Sequence, residues 1–330
     1  MCIRDSYNPY RITKEGIDWE VEEPDNPWSY IGYWGDHQII YLLKLLELSR
    51  RHHPQHIAQL LHQPIFSYAN VPYRIRSFEL LLQNPKSTVD FDQDLADRIE
   101  QRVSRVGADG KLVFGADDNV YQVTLLEKLL VPLLAKLGNF VPDGGIWLNT
   151  QRPEWNDANN ALVGNGLSMV TLFYLRRYIG FLTDLLESET ATARISSEIA
   201  DWLADTASAM RTLAGQLSGD SVSPAQRFNT LQELGRAASK YRQAVYNNEG
   251  FSGQVEVDLS TIRQLLADAL TAADHSIRNN RRNDGLYHAY NLLEIDAKTA
   301  RVDALYAMLE GQVAALSSGA ISPREACVIL

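Results

Sequence analysis

Tyr121–Leu137 limits the fold of this chain more than any other stretch. It carries the period of a helix yet is apolar on most of its sides, and its richest run, Leu129–Ala135, is flanked by Lys128 and Lys136. A helix without a polar face has to be surrounded, so other elements must wrap it. The candidates are helical too. The pattern predicts helices over about 36–51, where Asp36 is placed to cap and Ile39, Ile40, Leu42, Leu43 and Leu46 form the apolar stripe, and over a short segment from Pro54 to Leu61. Further helices are expected at about 91–106 and 155–187. Ala-, Leu- and Arg-rich helices follow at 190–216, 224–247, 258–280 and 298–317.

Between them lie long segments rich in Pro, Gly and aromatic residues. Residues 7–35 hold Pro9, Pro24 and Pro27 among Trp19, Trp28, Tyr30, Tyr33 and Trp34, and read as an ordered loop. Residues 63–90 read as irregular or short β, 111–114 as a short strand, and 279–296 as a loop or short strands. The recurring unit is helix, long decorated loop, helix, with no internal sequence repeat. The expected fold class is therefore all-α, packed helical hairpins with minor β and one loop-rich face. Long structured loops in a compact domain usually carry function.

Composition removes several classes. The formal charge is −10, which speaks against a binder of nucleic-acid phosphates. No uncharged apolar run approaches the ~20 residues that span a bilayer, so no membrane partner is expected. Two cysteines, Cys2 and Cys327, make no disulfide framework and no metal site, and point to the reducing cytoplasm. Met1–Ser6 lacks a signal-peptide pattern and looks like a translated sequencing adapter. Fold reasoning therefore covers 7–330, and the apolar close Ala326–Leu330 leads us to expect a fragment of a longer protein. There is no Gly-rich phosphate loop and no nucleophile elbow, so no cofactor and no serine hydrolase is expected.

Two constellations can carry chemistry. The first is Gln151-Arg152-Pro153-Glu154-Trp155-Asn156-Asp157-Ala158-Asn159-Asn160. Two carboxylates three residues apart surround a tryptophan at a loop-to-helix junction. Glycosidic cleavage needs a protonated carboxyl beside the leaving oxygen, and a carboxyl desolvated by an indole keeps its proton. Arg152, Trp155, Asn156 and Asn160 would hold the sugar. The plain reading is that Asp157 caps a helix and Trp155 is core. The second is Gly32-Tyr33-Trp34-Gly35-Asp36-His37-Gln38. Trp34 would stack on a sugar face while Asp36, His37 and Gln38 read its hydroxyls, against the plain reading of an aromatic loop under a helix.

Weaker signals read as structural. His52, His53, His56 and His62 lack an acidic or thiol partner in their run. Asp90, Asp92 and Asp94 open like a calcium loop but have Leu95 where glycine is needed. Arg281–Tyr290 is a polar and aromatic loop.

Glu154–Asn160 resembles the Asp-Trp-Asn-Asp-Gly-Met-Asn segment of cellobiose and chitobiose phosphorylases, and Tyr33–Asp36 resembles the aromatic-x-Arg-Asp segment of glucoamylases and related six-hairpin glycosidases. The likeness extends to large bacterial proteins sharing that domain. The resemblance implies an incomplete (α/α)6 toroid acting on an oligo- or polysaccharide. Glu154 would be the general acid, or failing it Asp157, with attack by water or inorganic phosphate and no cofactor. Gly35 stands where the family has its sugar-gripping Arg, which leaves Asp36 as the binding residue. The alternatives are a non-catalytic helical sugar-binding or scaffold module, and a sugar lyase or epimerase using His37 or His288 as base.

Overall fold

The computed structural model describes residues 10–19, 38–149, 162–189, 192–217 and 221–330. The chain opens with a hairpin of β1 (Tyr10–Thr13) and β2 (Gly16–Trp19), followed by α1 (Gln38–His52) and α2 (His56–Leu60). A second small hairpin pairs β3 (Tyr73–Ile75) with β4 (Val89–Phe91), with α3 (Phe78–Gln83) between them and α4 (Gln93–Val106) after them. Then come α5 (Leu125–Leu137), β5 (Phe140–Val141), β6 (Gly145–Trp147), β7 (Gly166–Ser168) and α6 (Met169–Leu186). Next are β8 (Ala193–Ser196), α7 (Ser197–Gln216), α8 (Pro224–Asn247), β9 (Gln254–Val257) and α9 (Leu259–Asn279). The chain closes with β10 (Tyr290–Asp296), β11 (Thr299–Ala304), α10 (Leu309–Ser317) and α11 (Pro323–Ile329).

The surrounded helix is there. Leu126 to Leu137 are all buried in α5, charged residues included. Around it α8, α7, α9 and α6 pack side by side in that order, and α1 and α10 both lie on α6. Local chemistry sets the helix starts. Ser223 and Gln226 form a reciprocal capping box with Pro224 in the first turn of α8. Asp258 accepts from Ser260 N–H at 2.7 Å at the start of α9, and the Ser168 hydroxyl accepts from Thr171 N–H at 3.0 Å at the start of α6.

The fold is not all-α, and the expected incomplete (α/α)6 toroid of helical hairpins with only minor β is corrected to a mixed α/β architecture. A five-stranded antiparallel sheet runs in the order β11-β10-β7-β6-β5, and β8 pairs with β9 in a further hairpin. The sheet has its own apolar layer, in which Val141, Trp147, Leu167, Leu293 and Ala300 meet Phe78, Leu81, Phe228 and Leu231 from α3 and α8. Several segment readings change with it. Within the described part of 155–187, residues 166–168 form strand β7 and the long helix runs from Met169. Within 298–317, residues 299–304 are strand and the helix begins at Leu309. Within 7–35, the described part is the β1–β2 hairpin rather than a loop. Residues 193–196, expected to be helical, form β8.

Gly145 has φ +117°, and a Cβ there would meet the Ser168 carbonyl oxygen at 2.7 Å, so β6 can approach β7 only because residue 145 is glycine. Among the described residues, no helix is long and apolar enough to cross a membrane.

Candidate functional site

Trp34, Asp36 and His37 fall in 20–37, and Arg152, Glu154, Trp155, Asn156, Asp157 and Asn160 fall in 150–161; both segments lie outside the described residues. Gln38 is described only as the first residue of α1. What the structure places is where these segments join the body.

Segment 150–161 leaves and returns across a closed strand base. Leu148 N–H donates to Gly166 O at 2.9 Å, and Gly164 N–H donates to Leu148 O at 2.8 Å. The Trp147 indole donates to Gly164 O at 2.8 Å, and Asn149 Nδ2 donates to Asn139 Oδ1 at 2.9 Å, just past the end of α5. Its two ends are therefore held on β6 and β7 by bonds that are buried.

Segment 20–37 rejoins the body at α1, and α1 runs parallel to α6. Lys44 Nζ lies 5.9 Å from the Tyr174 ring centre. Arg177 grips Glu47 with both oxygens, at 2.6 and 2.8 Å. Arg50 lies 5.5 Å from the Phe181 ring centre. The contacts advance together along both helices. Gln38 precedes Lys44 by the same six residues, ~9 Å of helix, by which Ser168 precedes Tyr174, so the start of α1 is level with the start of α6. Gly166, which closes the base of 150–161, is within about 10 Å of chain from Met169. Both motif-bearing segments thus join the body near the α6 N-terminus.

A buried polar network stiffens that end. Asp143, at φ +59° in the β5–β6 turn, receives Val222 N–H at 2.6 Å on Oδ2. Its Oδ1 lies 3.0 Å from both His275 Nδ1 and Asn279 Nδ2. Arg227 Nη2 stands 3.5 Å from Oδ2, and the guanidinium also donates to the carbonyls of Pro142, Ala300 and Val222. Asn280 Nδ2 donates to Asp143 O at 2.7 Å, and Asn291 Nδ2 bridges Gly144 O and Asn280 Oδ1, each at 2.8 Å. The His275–Asp143 pair has the look of a catalytic dyad, but its side chains are only 3% and 6% exposed and hold a turn together.

The other sequence signals resolve into structure. Asp92 caps α4 and binds Arg74 at 2.6 Å, and Asp90 binds Arg76. His62 pairs with Glu189 at 3.2 Å, while His53 and His56 meet edge to face. His288 Nδ1 lies 2.8 Å from Leu305 O, and Tyr287 packs edge-on against Phe173. Among the described residues, no three His, Cys, Asp or Glu side chains gather as metal ligands.

One group of charges was not read from the sequence. Glu127 on α5 accepts from the Tyr68 hydroxyl at 3.0 Å and from the Ser196 N–H and hydroxyl, both at 2.8 Å. Lys128 donates to Ile12 O at 3.0 Å and to Ser67 O, and lies 4.1 Å from the Tyr68 ring centre. Burial pushes the Glu127 pKa up to about 7, against its hydrogen bonds and the Lys128 charge. Burial likewise pulls Lys128 down to about 7, against the Glu127 charge. Glu127 is fully enclosed, so the pair ties β1, β8 and the Tyr68 segment to α5 rather than facing a ligand.

The consequence is a stability trough near neutrality. Between about pH 4.5 and 7 the folded chain holds the Glu127 proton more tightly than the unfolded one, so stability falls as pH rises. Between about pH 7 and 10.5 the unfolded chain holds the Lys128 proton more tightly, so stability rises with pH. Urea midpoints measured across this range should dip near pH 7, and Glu127→Gln should remove the falling limb. An unchanged limb in that variant would assign the slope to other groups.

The sequence matches no family model, and no curated protein matches it.

Proposed function

We propose that the chain is the sugar-cleaving part of a carbohydrate-active enzyme, acting on an oligo- or polysaccharide by hydrolysis or phosphorolysis with Glu154 as general acid. The observation that carries this reading is convergence. The segment bearing Glu154 and Asp157 and the segment bearing Trp34 and Asp36 join the body at one end, beside the start of α6. A site needing an acid from one segment and hydroxyl ligands from another requires such a common end.

In this reading Trp34 and Trp155 form stacking walls. Asp36, His37, Gln38, Arg152, Asn156 and Asn160 bind hydroxyls of the sugars flanking the cleaved bond. Glu154 gives its proton to the glycosidic oxygen as the C–O bond breaks, and water or phosphate attacks the anomeric carbon from the opposite face. The resemblance of Glu154–Asn160 to the phosphorylase segment supports Glu154 over Asp157 by position. The two distant cysteines suit a cytoplasmic protein, which agrees with use of inorganic phosphate as an attacking group.

A sugar-release screen of the purified chain against soluble oligosaccharides, with and without phosphate, tests the reading. Release in buffer alone identifies a hydrolase, and release of a sugar phosphate only with phosphate identifies a phosphorylase. Saccharide binding without release would make the chain a binding module, and neither binding nor release would overturn the reading.

A further inference from the structure

A second site lies at the other end of the molecule. A shallow, open cleft lies where the tip of the β1–β2 hairpin, β3, α4 and the end of α8 meet, and Lys14, Asn70, Arg74, Arg98, Arg102 and Glu249 line it. Val245 and Tyr246, in the last turn of α8, are some 21 residues from Pro224 at its start, roughly 30 Å along a helix, so this cleft is remote from the Asp143 end.

Its construction is unusual for a surface groove. The hairpin tip is driven into the body, leaving the Lys14 and Glu15 side chains only 6% and 2% exposed, with Nζ to Oε1 at 3.0 Å. Lys14 Nζ also donates to Asn70 Oδ1 at 3.1 Å, and Tyr241 donates to Lys14 O at 2.8 Å, which fixes the ammonium at the cleft floor. Arg98 and Arg102 stand one turn apart on α4 and face the same space. Arg74 stacks on the Tyr246 ring at 5.4 Å while bound to Asp92, and Arg98 reaches Glu249 at 3.6 Å. Arg102 lies over the Phe114 ring at 4.8 Å and also acts electrostatically on Asp118, which Arg105 holds.

The charges therefore do not balance. Lys14, Arg74, Arg98 and Arg102 give four cations, and Glu15, Asp92 and Glu249 give three carboxylates, an excess of one positive charge in a chain of net charge −10. Guanidinium forks with a buried ammonium behind them match an oxyanion, and Asn70 and Glu249 add groups that bind hydroxyls. We infer that this cleft binds a small hydroxylated oxyanion, a sugar phosphate or a sugar acid, at a site separate from the cleavage site. The inference needs no glycosidic chemistry and stands apart from the function proposed above.

Calorimetry at constant ionic strength with glucose 6-phosphate, glucuronate and uncharged glucose tests it on the whole chain. At least one of the two anions should bind and glucose should not; which anion binds assigns phosphate or carboxylate as the charged group. Arg102→Gln and Arg98→Gln should each weaken binding about tenfold. Arg105→Gln should not, because Arg105, on the same helix, is paired with Asp118 outside the cleft. Absence of binding by both anions, equal binding of glucose, unchanged affinity in Arg102→Gln, or an equal loss in Arg105→Gln would overturn the inference.

Discussion

Replacing Glu154 by Gln is expected to lower the rate of glycosidic cleavage by about 10²- to 10⁴-fold, the range general-acid catalysis supplies. Gln keeps the size and hydrogen-bonding reach of Glu but has no proton to give to a departing alkoxide. The loss should therefore depend on the leaving group. A nitrophenyl glycoside, whose phenolate departs without help, should lose far less than a natural disaccharide. The thermal midpoint should stay put, which separates this result from unfolding. Asp157→Asn provides the comparison. If Asp157 is the acid instead, the leaving-group dependence will appear in that variant and be absent from Glu154→Gln.

Asp143→Ala is expected to cost about 3–5 kcal/mol of stability, the cost of breaking a buried ion pair from one side. The carboxylate receives Val222 N–H, Asn279 Nδ2 and His275 Nδ1 within 3.0 Å, and it sits 3.5 Å from a guanidinium that is itself 8% exposed. Burial holds the Arg227 pKa down, and the Asp143 charge is what opposes that. Removing it leaves a buried cation facing only carbonyl dipoles. Asp143→Asn keeps an acceptor and should cost less. Urea unfolding of both variants measures this, and a loss below about 1 kcal/mol in the Ala variant would show that the network does not hold the turn. The damage should also be local. The turn feeds β6, which anchors segment 150–161, so saccharide binding should weaken in Asp143→Ala even under conditions where the chain is folded.

The legible parts of the fold were those with strong local signals. Helix α8 occupies the expected residues 224–247, and α9 ends within one residue of expectation on each side, because Ser223-Pro224 and Asp258 mark their starts and Gly- and Asn-containing breaks mark their ends. The burial of α5 was legible from its apolar surface, though its first turn was placed four residues early. The sheet was not legible for two reasons. Strands β5, β6 and β7 have two or three residues each and are buried on both faces, so they show no alternation to read. Strand β11, Thr-Ala-Arg-Val-Asp-Ala, mixes helix formers with β-branched residues, and its pairing with β10 from Asn291↔Ala304 to Asp296↔Thr299 decides the matter in three dimensions.

The charged sites were hidden for related reasons. Glu127 and Lys128 look like the polar edge of an apolar helix, and only packing by Tyr68, Ser196 and the β1–β2 hairpin makes them buried. Lys14 and Glu15 look like an exposed turn, and nothing local says that the turn points inward. The motif residues from Trp34 to Gln38 and Arg152 to Asn160 are candidates from the sequence and, Gln38 apart, lie outside the described residues; the structure adds where their segments are attached.

A double-mutant cycle on Trp34 and Trp155 bears most directly on the idea that these two segments share one saccharide. The ligand is the best-bound oligosaccharide of the release screen, titrated by calorimetry into the wild type, Trp34→Ala, Trp155→Ala and the double variant. Stacking the same sugar chain from both sides predicts weakened binding in each single variant and a coupling of about 0.5–3 kcal/mol between them. Strict additivity to within ~0.5 kcal/mol, or a tryptophan whose loss leaves affinity unchanged, would contradict it.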